Sequence, residues 1–305
     1  MRSIVTGGAG FIGSNLVDEL IKLEHEVIVI DNESSNAHEQ FYYNQEAEYL
    51  DYDISDYNRI EPLFKNIDYV FHLAAEARIQ PAIENPTLAI QTNVLGTCNI
   101  LQAARTHGVK RVIYSSTSSA YGIINDPPLV ETMNTDCLNP YSVSKVSGED
   151  LCKMYYDLFS LETITFRYFN VYGERQPTKG QYAPVIGLFQ KQVSEETPMT
   201  VVGDGLQTRD YTHVSDVVSA NILAAFTENE SAIGEIFNIG TGTNHSVMDL
   251  VYMIGGENPS FQYIPQRPGE ARHTLADCTK SNQMLDWKSM VTLESWLNVM
   301  ENTDV

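Results

Sequence analysis

Short runs of apolar residues alternate with amphipathic segments along the first half of the chain. Continuous apolar runs are typical of strands buried in a parallel sheet, whereas apolar residues spaced three or four positions apart are typical of helices that cover such a sheet. The predicted strands span residues 2–6, 26–31, 68–73, 111–116 and 163–168, and the predicted helices span residues 12–23, 57–65, 87–107 and 141–159. The alternation predicts an α/β fold with a doubly wound parallel sheet.

The pattern becomes irregular after about residue 170. Short pieces rich in glycine and proline, such as residues 176–180 and 266–270, replace the regular alternation, and no clean linker separates them from the sheet. Such pieces are typical of surface loops that carry function. We therefore predict a sheet domain over residues 1–170, to which later segments return, and a smaller, mainly substrate-binding region over residues 171–305.

A glycine-rich motif directly follows the first predicted strand. Gly7, Gly10 and Gly13 allow a tight turn, close approach of the backbone to a diphosphate, and close packing of a helix on the strand. Asp31 ends the second predicted strand, where a carboxylate would hold the adenosine ribose hydroxyls of a dinucleotide. A 2′-phosphate would be repelled there, and residues 23–58 contain no arginine or lysine to receive one. The motif therefore predicts binding of NAD and not of NADP.

Tyr141 and Lys145 lie four positions apart in the last predicted helix. Residues i and i+4 share one face of a helix, so the ammonium can sit beside the phenol. A neighbouring positive charge favours the phenolate and lowers the tyrosine pKa from its ordinary value of about 10. A tyrosine tuned in this way can take a proton from an alcohol near neutral pH. The spacing alone also fits a solvated helix face, so its interpretation depends on the other motifs.

The composition indicates a cytosolic protein without nucleic-acid or membrane partners. With 40 acidic and 19 basic residues the formal net charge is −21, which disfavours nucleic acids and anionic membranes. No apolar run approaches the roughly 20 residues of a membrane span, and the first residues resemble a strand, not a signal peptide. The cysteines and histidines show no metal-ligand spacing, so we predict no metal site, buried thiols and structural imidazoles. These residues are Cys98, Cys137, Cys152, Cys278, His72, His107, His213 and His245.

Several motifs together resemble the extended short-chain dehydrogenases/reductases, in the NAD-dependent sugar epimerase/dehydratase family. They are the glycine motif at 6–13, the pair 53–54, the segments 71–75, 92–97 and 115–122, the Tyr141–Lys145 pair and the segment 167–173. The resemblance runs nearly from end to end and is closest to UDP-N-acetylglucosamine and UDP-glucose 4-epimerases. It implies a Rossmann-type fold, NAD as cofactor, a UDP-sugar as substrate, and a homodimer in which the helices near 90–107 and 141–159 form a four-helix bundle.

The same resemblance implies roles for individual residues. Thr117 would bond the reacting sugar oxygen, Tyr141 would act as the base, and Lys145 would bind the nicotinamide ribose. The implied cofactor-binding residues are Gly7, Gly10, Phe11, Ile12, Gly13, Asp31, Asn32, Asp53, Ile54, Leu73, Ala74, Ala75, Asn93, Ser115, Tyr141, Lys145 and Tyr168. The implied substrate-binding residues are Thr117, Asn170, Ala183, Val185, Arg209, Tyr211, Arg267, Glu270 and Thr274. Tyr182 begins a segment that resembles one whose backbone reads a uracil or thymine edge.

The two residues after Thr117 bear on the reaction. Family members that dehydrate a sugar carry an Asp-Glu pair there, because expelling a hydroxyl needs extra acid/base groups, and decarboxylases commonly carry a glutamate at the second position. This chain has Ser118 and Ser119. The simplest expectation is 4-epimerisation, in which Tyr141 takes the C4 hydroxyl proton, hydride passes to NAD, and hydride returns to the opposite face of the 4-keto sugar. A lyase and a non-catalytic NAD-binding regulator stay open as alternatives.

Single positions bear on the identity of the sugar. Thr274 stands where UDP-hexose 4-epimerases carry the residue near the C2 substituent, and a residue smaller than tyrosine there admits an N-acetyl group. We therefore expect UDP-GlcNAc and UDP-GalNAc, and also UDP-Glc and UDP-Gal, as substrates. Arg78 departs from the family pattern. It either contacts an acidic substituent, which keeps UDP-glucuronate 4-epimerisation open, or pairs with surface acids. Glu76 resembles an acid of dehydratases, to which it gives little support alone.

Overall fold

A computed structural model describes residues 1–179 and 183–303. Its strands are β1 (Arg2–Thr6), β2 (Glu26–Ile30), β3 (Glu48–Leu50), β4 (Tyr69–His72), β5 (Arg111–Thr117), β6 (Glu162–Tyr168), β7 (Val171–Tyr172), β8 (Met199–Val202), β9 (Thr208–Asp210), β10 (Thr212–His213), β11 (Ile236–Ile239), β12 (Asn244–Ser246) and β13 (Phe261–Ile264). Its helices are α1 (Phe11–Lys22), α2 (Tyr57–Ile60), α3 (Ile79–Glu84), α4 (Pro86–Ile90), α5 (Thr97–His107), α6 (Pro140–Phe159), α7 (Val185–Ser194), α8 (Val214–Phe226), α9 (Val247–Gly255), α10 (Thr279–Leu285) and α11 (Leu293–Thr303).

Seven of these strands form one sheet in the order β3-β2-β1-β4-β5-β6-β11. Every neighbouring pair in it is parallel. The strand order reverses between β1 and β4, and in sheets of this kind ligands bind at such a switch point, outside the carboxyl ends of the strands. The predicted α/β, Rossmann-type, doubly wound parallel sheet is therefore confirmed.

Apolar residues cover both faces of the sheet. On one face Leu16 and Val17 of α1 pack with Val217 of α8 in a core that also contains Val5 and Phe71 of the strands. On the other face the side chains come from α5, α6 and the alternate strand positions. Strands buried on both faces need continuous apolar runs, which explains why these strands could be predicted from the sequence.

Two predicted helices are broken in the structure. The helix predicted over residues 57–65 is α2 followed by a 3₁₀ turn, Glu61–Phe64, and the one predicted over residues 87–107 is α4, a π-helical turn, Gln91–Gly96, and α5. Asn85 caps α4 by accepting a hydrogen bond from the backbone of Leu88. A π turn inserts an extra residue, and such turns are frequent at functional sites. Here it carries Asn93.

The chain after residue 170 forms two-stranded pieces around a second core. β7 pairs with β10, β8 with β13, and β9 with β12. Phe189 of α7, Leu250 of α9 and Trp296 of α11 share this core with Tyr172 and Tyr211. β11 returns to the large sheet and pairs with β6. Within the described ranges, no helix has the length and apolarity that crossing a membrane requires.

Candidate active site

A cleft of about 560 Å³ opens at the carboxyl ends of the sheet strands. One wall carries the glycine motif and the ends of β2, β5 and β6, and the other wall carries residues from α7, β9 and the loop before α10. Residues from before and after residue 170 therefore line one cleft. It lies where the strand order predicts a ligand.

The glycine motif forms a tight turn between β1 and α1. Gly7 has a φ of +70°, and a Cβ added to it would stand 2.8 Å from the backbone nitrogen of Ala74. A Cβ on Gly13 would stand 2.1 Å from the Gly7 carbonyl oxygen. α1 begins without a side-chain cap and without an acidic residue in its first turn. The backbone N–H groups at this positive helix end are therefore suited to an anion.

Asp31 closes the cofactor end of the cleft. Its carboxylate accepts hydrogen bonds from the backbone N–H groups of Ala9, at 3.0 Å, and Glu33, at 2.9 Å. Burial raises the pKa of Asp31, and these two hydrogen bonds offset part of the rise. The carboxylate is thus held in place by the glycine motif itself.

The three predicted catalytic residues line the same cleft. Thr117 ends β5, Tyr141 lies in the first turn of α6, and Lys145 follows one turn later. α6 begins with a capping box in which the Asn139 side chain accepts a hydrogen bond from the backbone of Ser142. Thr117 hydrogen-bonds to the Tyr141 phenol. A hydroxyl, a phenol and an ammonium therefore belong to residues that line the same cleft.

Burial dominates the electrostatics of this group. It raises the pKa of Tyr141, and the hydrogen bond with Thr117 offsets part of that rise. Burial also lowers the pKa of Lys145 to about 8. The Lys145 ammonium lies 4.5 Å from the centre of the Tyr114 ring. The prediction that Lys145 lowers the Tyr141 pKa is therefore wrong for the protein alone, where burial sets the direction of the shift and Thr117 supplies the opposing effect.

Asn93 lies behind the cleft wall and not on it. Its side-chain amide donates to the Ser144 hydroxyl, at 2.8 Å, and to the Glu76 carbonyl, at 3.0 Å, and accepts from the Glu76 N–H at 2.8 Å. These bonds occupy the amide within the protein. The predicted direct cofactor contact thus gains no support from the cleft lining, and Asn93 holds Ser144, the neighbour of Lys145.

The half of the cleft formed by residues after 170, for which the sequence predicts substrate binding, contains Arg209 and Glu270, whose side chains approach to 3.4 Å. Asp210 is fully buried beside Arg209, and its carboxylate accepts hydrogen bonds from the Thr241 and Gly242 N–H groups at 2.8 and 3.0 Å. Asp210 therefore fixes the strand that presents Arg209. Thr274 is 7% exposed, and its hydroxyl has no hydrogen-bond partner within the described structure.

The cleft gathers nearly all residues that the motifs singled out. The predicted residues that line it are Gly7, Gly10, Phe11, Ile12, Gly13, Asp31, Asn32, Asp53, Ile54, Leu73, Ala74, Ala75, Ser115, Thr117, Tyr141, Lys145, Tyr168, Asn170, Ala183, Val185, Arg209, Tyr211, Arg267, Glu270 and Thr274. Tyr182 lies outside the described residues. The roles of these residues stay predictions, because lining the cleft shows where a residue lies and not what it does.

The two residues that departed from the family pattern lie differently. Arg78 lines the cleft, and burial lowers its pKa to about 10. Its charge adds to the effect of burial in lowering the pKa of His38, which lines the same cleft. Glu76 is half-buried, and burial raises its pKa. The structure does not place Glu76 on the cleft wall, so the resemblance to a dehydratase acid gains no support.

Several cleft residues carried no recognised motif. His38, Phe41 and Tyr52 line the cofactor half. Asn139 lines the cleft, and its side chain donates to the Gly269 carbonyl at 2.9 Å, which joins the start of α6 to a substrate loop. An Asn-Pro pair before a helical pattern is a capping signal, so Asn139 could have been predicted from the sequence. His38, Phe41 and Tyr52 lie in loops without a periodic pattern, so the sequence gives no such signal for them.

The predicted structural histidines and buried thiols differ in bonding and burial. His72 is bonded on both ring nitrogens, to the hydroxyls of Thr6 and Thr97 at 2.7 and 2.9 Å. Cys152 is buried, whereas Cys98, Cys137 and Cys278 are half-buried, so the prediction of buried thiols holds for one of the four. In the described ranges, no three His, Cys, Asp or Glu residues are grouped as a metal site requires.

A family model and solved structures match this arrangement. The model of the NAD dependent epimerase/dehydratase family matches residues 3–240. The crystal structure of UDP-glucose 4-epimerase with UDP-glucose from Thermotoga maritima has a TM-score of 0.91 and 35% identity, and the match covers 100% of both chains. The chain is also similar to UDP-N-acetylglucosamine 4-epimerase from Methanobrevibacter ruminantium in complex with UDP-N-acetylmuramic acid, with a TM-score of 0.89, 30% identity, and 99% and 98% of the chains covered.

A third solved structure contains both kinds of ligand. UDP-glucuronic acid 4-epimerase from Bacillus cereus, in complex with UDP-glucuronic acid and NAD, has a TM-score of 0.89 and 31% identity. The match covers 98% of this chain and 97% of that one. All three similar proteins are sugar-nucleotide epimerases, and their named sugars differ.

Proposed function

The chain belongs to the NAD-dependent epimerase/dehydratase family, and from this premise we propose that it is a 4-epimerase of UDP-sugars with NAD as its cofactor. The expected substrates are UDP-GlcNAc and UDP-GalNAc, with UDP-Glc and UDP-Gal as a further pair. Similar structures named as UDP-glucose, UDP-N-acetylglucosamine and UDP-glucuronic acid 4-epimerases support the reaction without selecting one sugar.

The observation that carries the proposal is the placement of carboxylates in the cleft. Among the described lining residues, the carboxylic acids are Asp31, Asp53 and Glu270. All three lie in segments assigned to the nucleotides, and serines occupy the two positions after Thr117. Loss of water from the sugar needs a further acid or base at the reacting carbons. Epimerisation at C4 needs one proton-transfer group and a hydride acceptor, which this cleft accommodates.

The glycine turn fits the diphosphate of NAD. α1 has no side-chain cap and no acid in its first turn, so its N–H groups and positive end suit an anion. Gly7 and Gly13 have no room for a Cβ, which is expected where a backbone turn must stay this tight. Asp31 is suited to the ribose hydroxyls and would repel a 2′-phosphate. NAD, when bound, supplies the group that takes hydride from C4 and returns it.

Tyr141 is the group that we assign to the C4 proton. Its phenol lies in the first turn of α6, at the positive end of a 20-residue helix, and both this end and the hydrogen bond with Thr117 favour the phenolate. Thr117 is suited to hold the same sugar oxygen. Lys145 is buried in the cleft wall, where its ammonium suits a ribose hydroxyl.

Thr274 supports the choice of an N-acetylated sugar. Its side chain is almost fully buried in the substrate half of the cleft, and its hydroxyl is free of other partners in the described structure. A tyrosine at this point would fill space that threonine leaves open. We therefore assign Thr274 to the wall near the C2 substituent.

The function is tested by product analysis of the holoenzyme. Purified protein is incubated separately with UDP-GlcNAc, UDP-Glc and UDP-GlcA, and the products are identified by NMR and mass spectrometry. We expect UDP-GalNAc from UDP-GlcNAc with unchanged mass. A loss of water or CO₂ would show a lyase instead, and no conversion of any UDP-sugar would favour the NAD-binding regulator.

A Thr274→Tyr variant tests the sugar assignment. Turnover of UDP-GlcNAc should fall by roughly 10-fold to 100-fold, because the larger ring occupies the N-acetyl position, while turnover of UDP-Glc changes little. Thr274→Ser, which keeps a small side chain, is the control. The assignment is wrong if both sugars lose activity equally, or if the parent protein converts UDP-Gal and leaves UDP-GlcNAc untouched.

Arg78 favours UDP-glucuronate 4-epimerisation as a second candidate. A guanidinium on the cleft wall could pair with a sugar carboxylate through two hydrogen bonds. If this candidate is right, UDP-GlcA gives UDP-GalA faster than UDP-GlcNAc reacts, and Arg78→Gln removes that preference. Equal use of UDP-GlcA by the parent protein and the variant would rule it out.

We also propose a homodimer through α6 and the helical segment over residues 90–107. Val143, Leu158 and Phe159 of α6, and Leu95 of the π turn, are apolar and 38–69% exposed. Exposed apolar side chains on neighbouring helices are typical of an interface with another chain. Sedimentation velocity should give a dimer for the parent protein and a monomer for Val143→Asp, whereas a parent monomer would refute the assembly.

A further inference from the structure

Glu149 is a buried acid that the proposed reaction does not use. It lies one helical turn beyond Lys145, so Tyr141, Lys145 and Glu149 follow one another on the same face of α6. The residue is 4% exposed. A carboxylate in such a place is costly unless its oxygens are hydrogen-bonded or paired with a cation.

The Glu149 carboxylate is bound by two strands. Arg167 of β6 donates to it through Nε at 2.9 Å and Nη2 at 2.6 Å, and the Ser116 hydroxyl of β5 donates to the same oxygen as Nε. Ser116 and Arg167 are register partners, and the next pair in the ladder is Thr117 and Tyr168. Glu149 therefore binds β5 and β6 one register position before Thr117 and Tyr168, which line the cleft.

We propose that Glu149 is a positioning residue of the reaction, because its carboxylate fixes the strand end carrying Thr117 against the helix carrying Tyr141 and Lys145. The proposal rests on the proposed function for its kinetic consequences. A helix and a sheet could otherwise slide by a fraction of an ångström, and a misplacement of about 1 Å can cost on the order of 10²-fold in rate.

The charge of Glu149 also matters for Lys145. The titratable groups facing that ammonium in the described structure are Tyr141, Glu149 and Cys152 on α6, Tyr114 on β5 and His72 on β4. Burial raises the pKa values of the phenols and the thiol and lowers that of His72, so these groups are neutral near pH 7. Cys152 and Glu149 both oppose the effect of burial on the Lys145 pKa. Glu149 is the carboxylate of the two, and it is paired with Arg167.

An arginine–glutamate pair between β5 and β6 themselves provides a control. Arg111 and Glu162 are also register partners of β5 and β6, and Arg111 Nε donates to Glu162 at 2.8 Å. This pair lies at the opposite end of the strands, away from the cleft. Breaking it removes an arginine–glutamate bond from the same sheet without disturbing the residues that line the site.

The experiment compares Glu149→Gln with Glu162→Gln in the holoenzyme, well below both melting temperatures. For Glu149→Gln we expect kcat to fall by roughly 10-fold to 100-fold with KM changed by less than about 3-fold. An NMR titration of the Lys145 side-chain carbon, assigned by its loss in Lys145→Met, should show the lysine pKa lowered, since the Glu149 charge no longer opposes the effect of burial. Glu162→Gln should change neither quantity.

Glu149→Asp and Ser116→Ala keep the test decisive if Glu149→Gln does not fold. Glu149→Asp retains the charge, so the titration of Lys145 should match that of the parent protein while kcat falls. Ser116→Ala should lower kcat by several-fold without moving the titration. The lysine titration needs no substrate, so it judges Glu149 even if no UDP-sugar is converted. A parent-like kcat and titration in Glu149→Gln, or equal losses in both glutamine variants, would overturn the proposal.

Discussion

The two ends of the seven-stranded sheet use polar residues in opposite ways. At the amino ends of the strands, charged side chains are paired with one another: Arg2 contacts Glu26 at 2.9 Å and Arg111 contacts Glu162 at 2.7 Å. At the carboxyl ends, hydroxyls and a phenol face a cleft. The ion pairs join neighbouring strands at the amino end. At the carboxyl end the polar groups line the cleft and are available to a ligand.

Strand direction explains the difference. All seven strands run the same way, so their carboxyl ends meet at one edge, and the order reversal between β1 and β4 opens a crevice there. Equivalent residue types therefore acquire different roles according to the end at which they lie. The comparison can be tested with matched substitutions, since each end contains a tyrosine, a glycine with positive φ and a buried histidine.

Tyrosine substitutions should give the largest contrast. Tyr141→Phe removes the group assigned to the C4 proton, and we expect kcat to fall by about 10³-fold while NAD and the UDP-sugar still bind, because general acid–base catalysis is typically worth 10²-fold to 10⁴-fold. Steady-state kinetics and binding titrations measure the two effects separately. Undiminished turnover would refute the mechanism.

Tyr69→Phe is the control at the amino end. Tyr69 begins β4, is 5% exposed, and its hydroxyl is 3.5 Å from the Lys110 ammonium. Removing this hydroxyl should leave kcat within about 2-fold of the parent value, since Tyr69 is not among the described residues that line the cleft, and should cost at most about 1 kcal/mol of stability. A loss of turnover comparable with that of Tyr141→Phe would break the comparison between the two ends.

Two glycine-to-alanine substitutions should separate the cost of a left-handed backbone conformation from the cost of a steric clash of the added Cβ. Gly7 and Gly108 have almost the same φ, +70° and +69°, but a Cβ on Gly7 meets the backbone of Ala74 at 2.8 Å whereas one on Gly108 meets nothing within 4 Å. Gly108→Ala should cost about 1–2 kcal/mol, the price of a left-handed conformation for alanine. Gly7→Ala should cost more and should weaken NAD binding by at least about 10-fold.

Chemical unfolding and calorimetric NAD titration measure these two effects. The decisive result is the difference between the variants, because the conformational strain is shared. If Gly7→Ala and Gly108→Ala lose the same stability and both retain parent-like NAD affinity, the turn at the carboxyl end has no special requirement for glycine.

Much of the sheet could be predicted from the sequence because its strands are buried on both faces. β1, β2, β4, β5 and β6 match the predicted strands to within one residue at each end. β3 escaped prediction since it is three residues long and only partly buried, and it exists through its pairing with β2. Such pairing depends on residues distant in sequence, which a local pattern does not contain.

The candidate site divides in the same way. The glycine turn, Thr117 and the Tyr141–Lys145 pair form local motifs, so they could be identified before the fold was known. The bond from Asn139 to Gly269 spans 130 residues, and the hydrogen bonds of Glu149 join a helix to two strands. The pKa of Tyr141 also depends on burial, which only the folded protein defines. For that reason its direction was predicted wrongly.

Histidine substitutions should give the smallest contrast, visible as a pH dependence of stability. His72 at the carboxyl end is fully buried, and burial lowers its pKa to about 3; His25 at the amino end has its pKa lowered mainly by burial, with the nearby Asp68 opposing. Both bond a hydroxyl of β1, Thr6 or Ser3. The unfolded chain binds a proton on each imidazole below about pH 6.5, whereas folded His72 stays neutral.

The contribution of His72 is therefore fully present above about pH 6.5 and is lost as the pH falls towards 3, by at most about 1.4 kcal/mol per unit. Urea unfolding at several pH values should show that His72→Asn flattens this slope more than His25→Asn does, because only His72 is fully enclosed. Subtracting the curve of unfolding free energy against pH for each variant from that of the parent protein removes the contribution of the carboxylates. If both variants reduce the slope of stability against pH equally, the two ends bury their imidazoles alike. The difference between the two ends of the sheet would then be confined to the cleft.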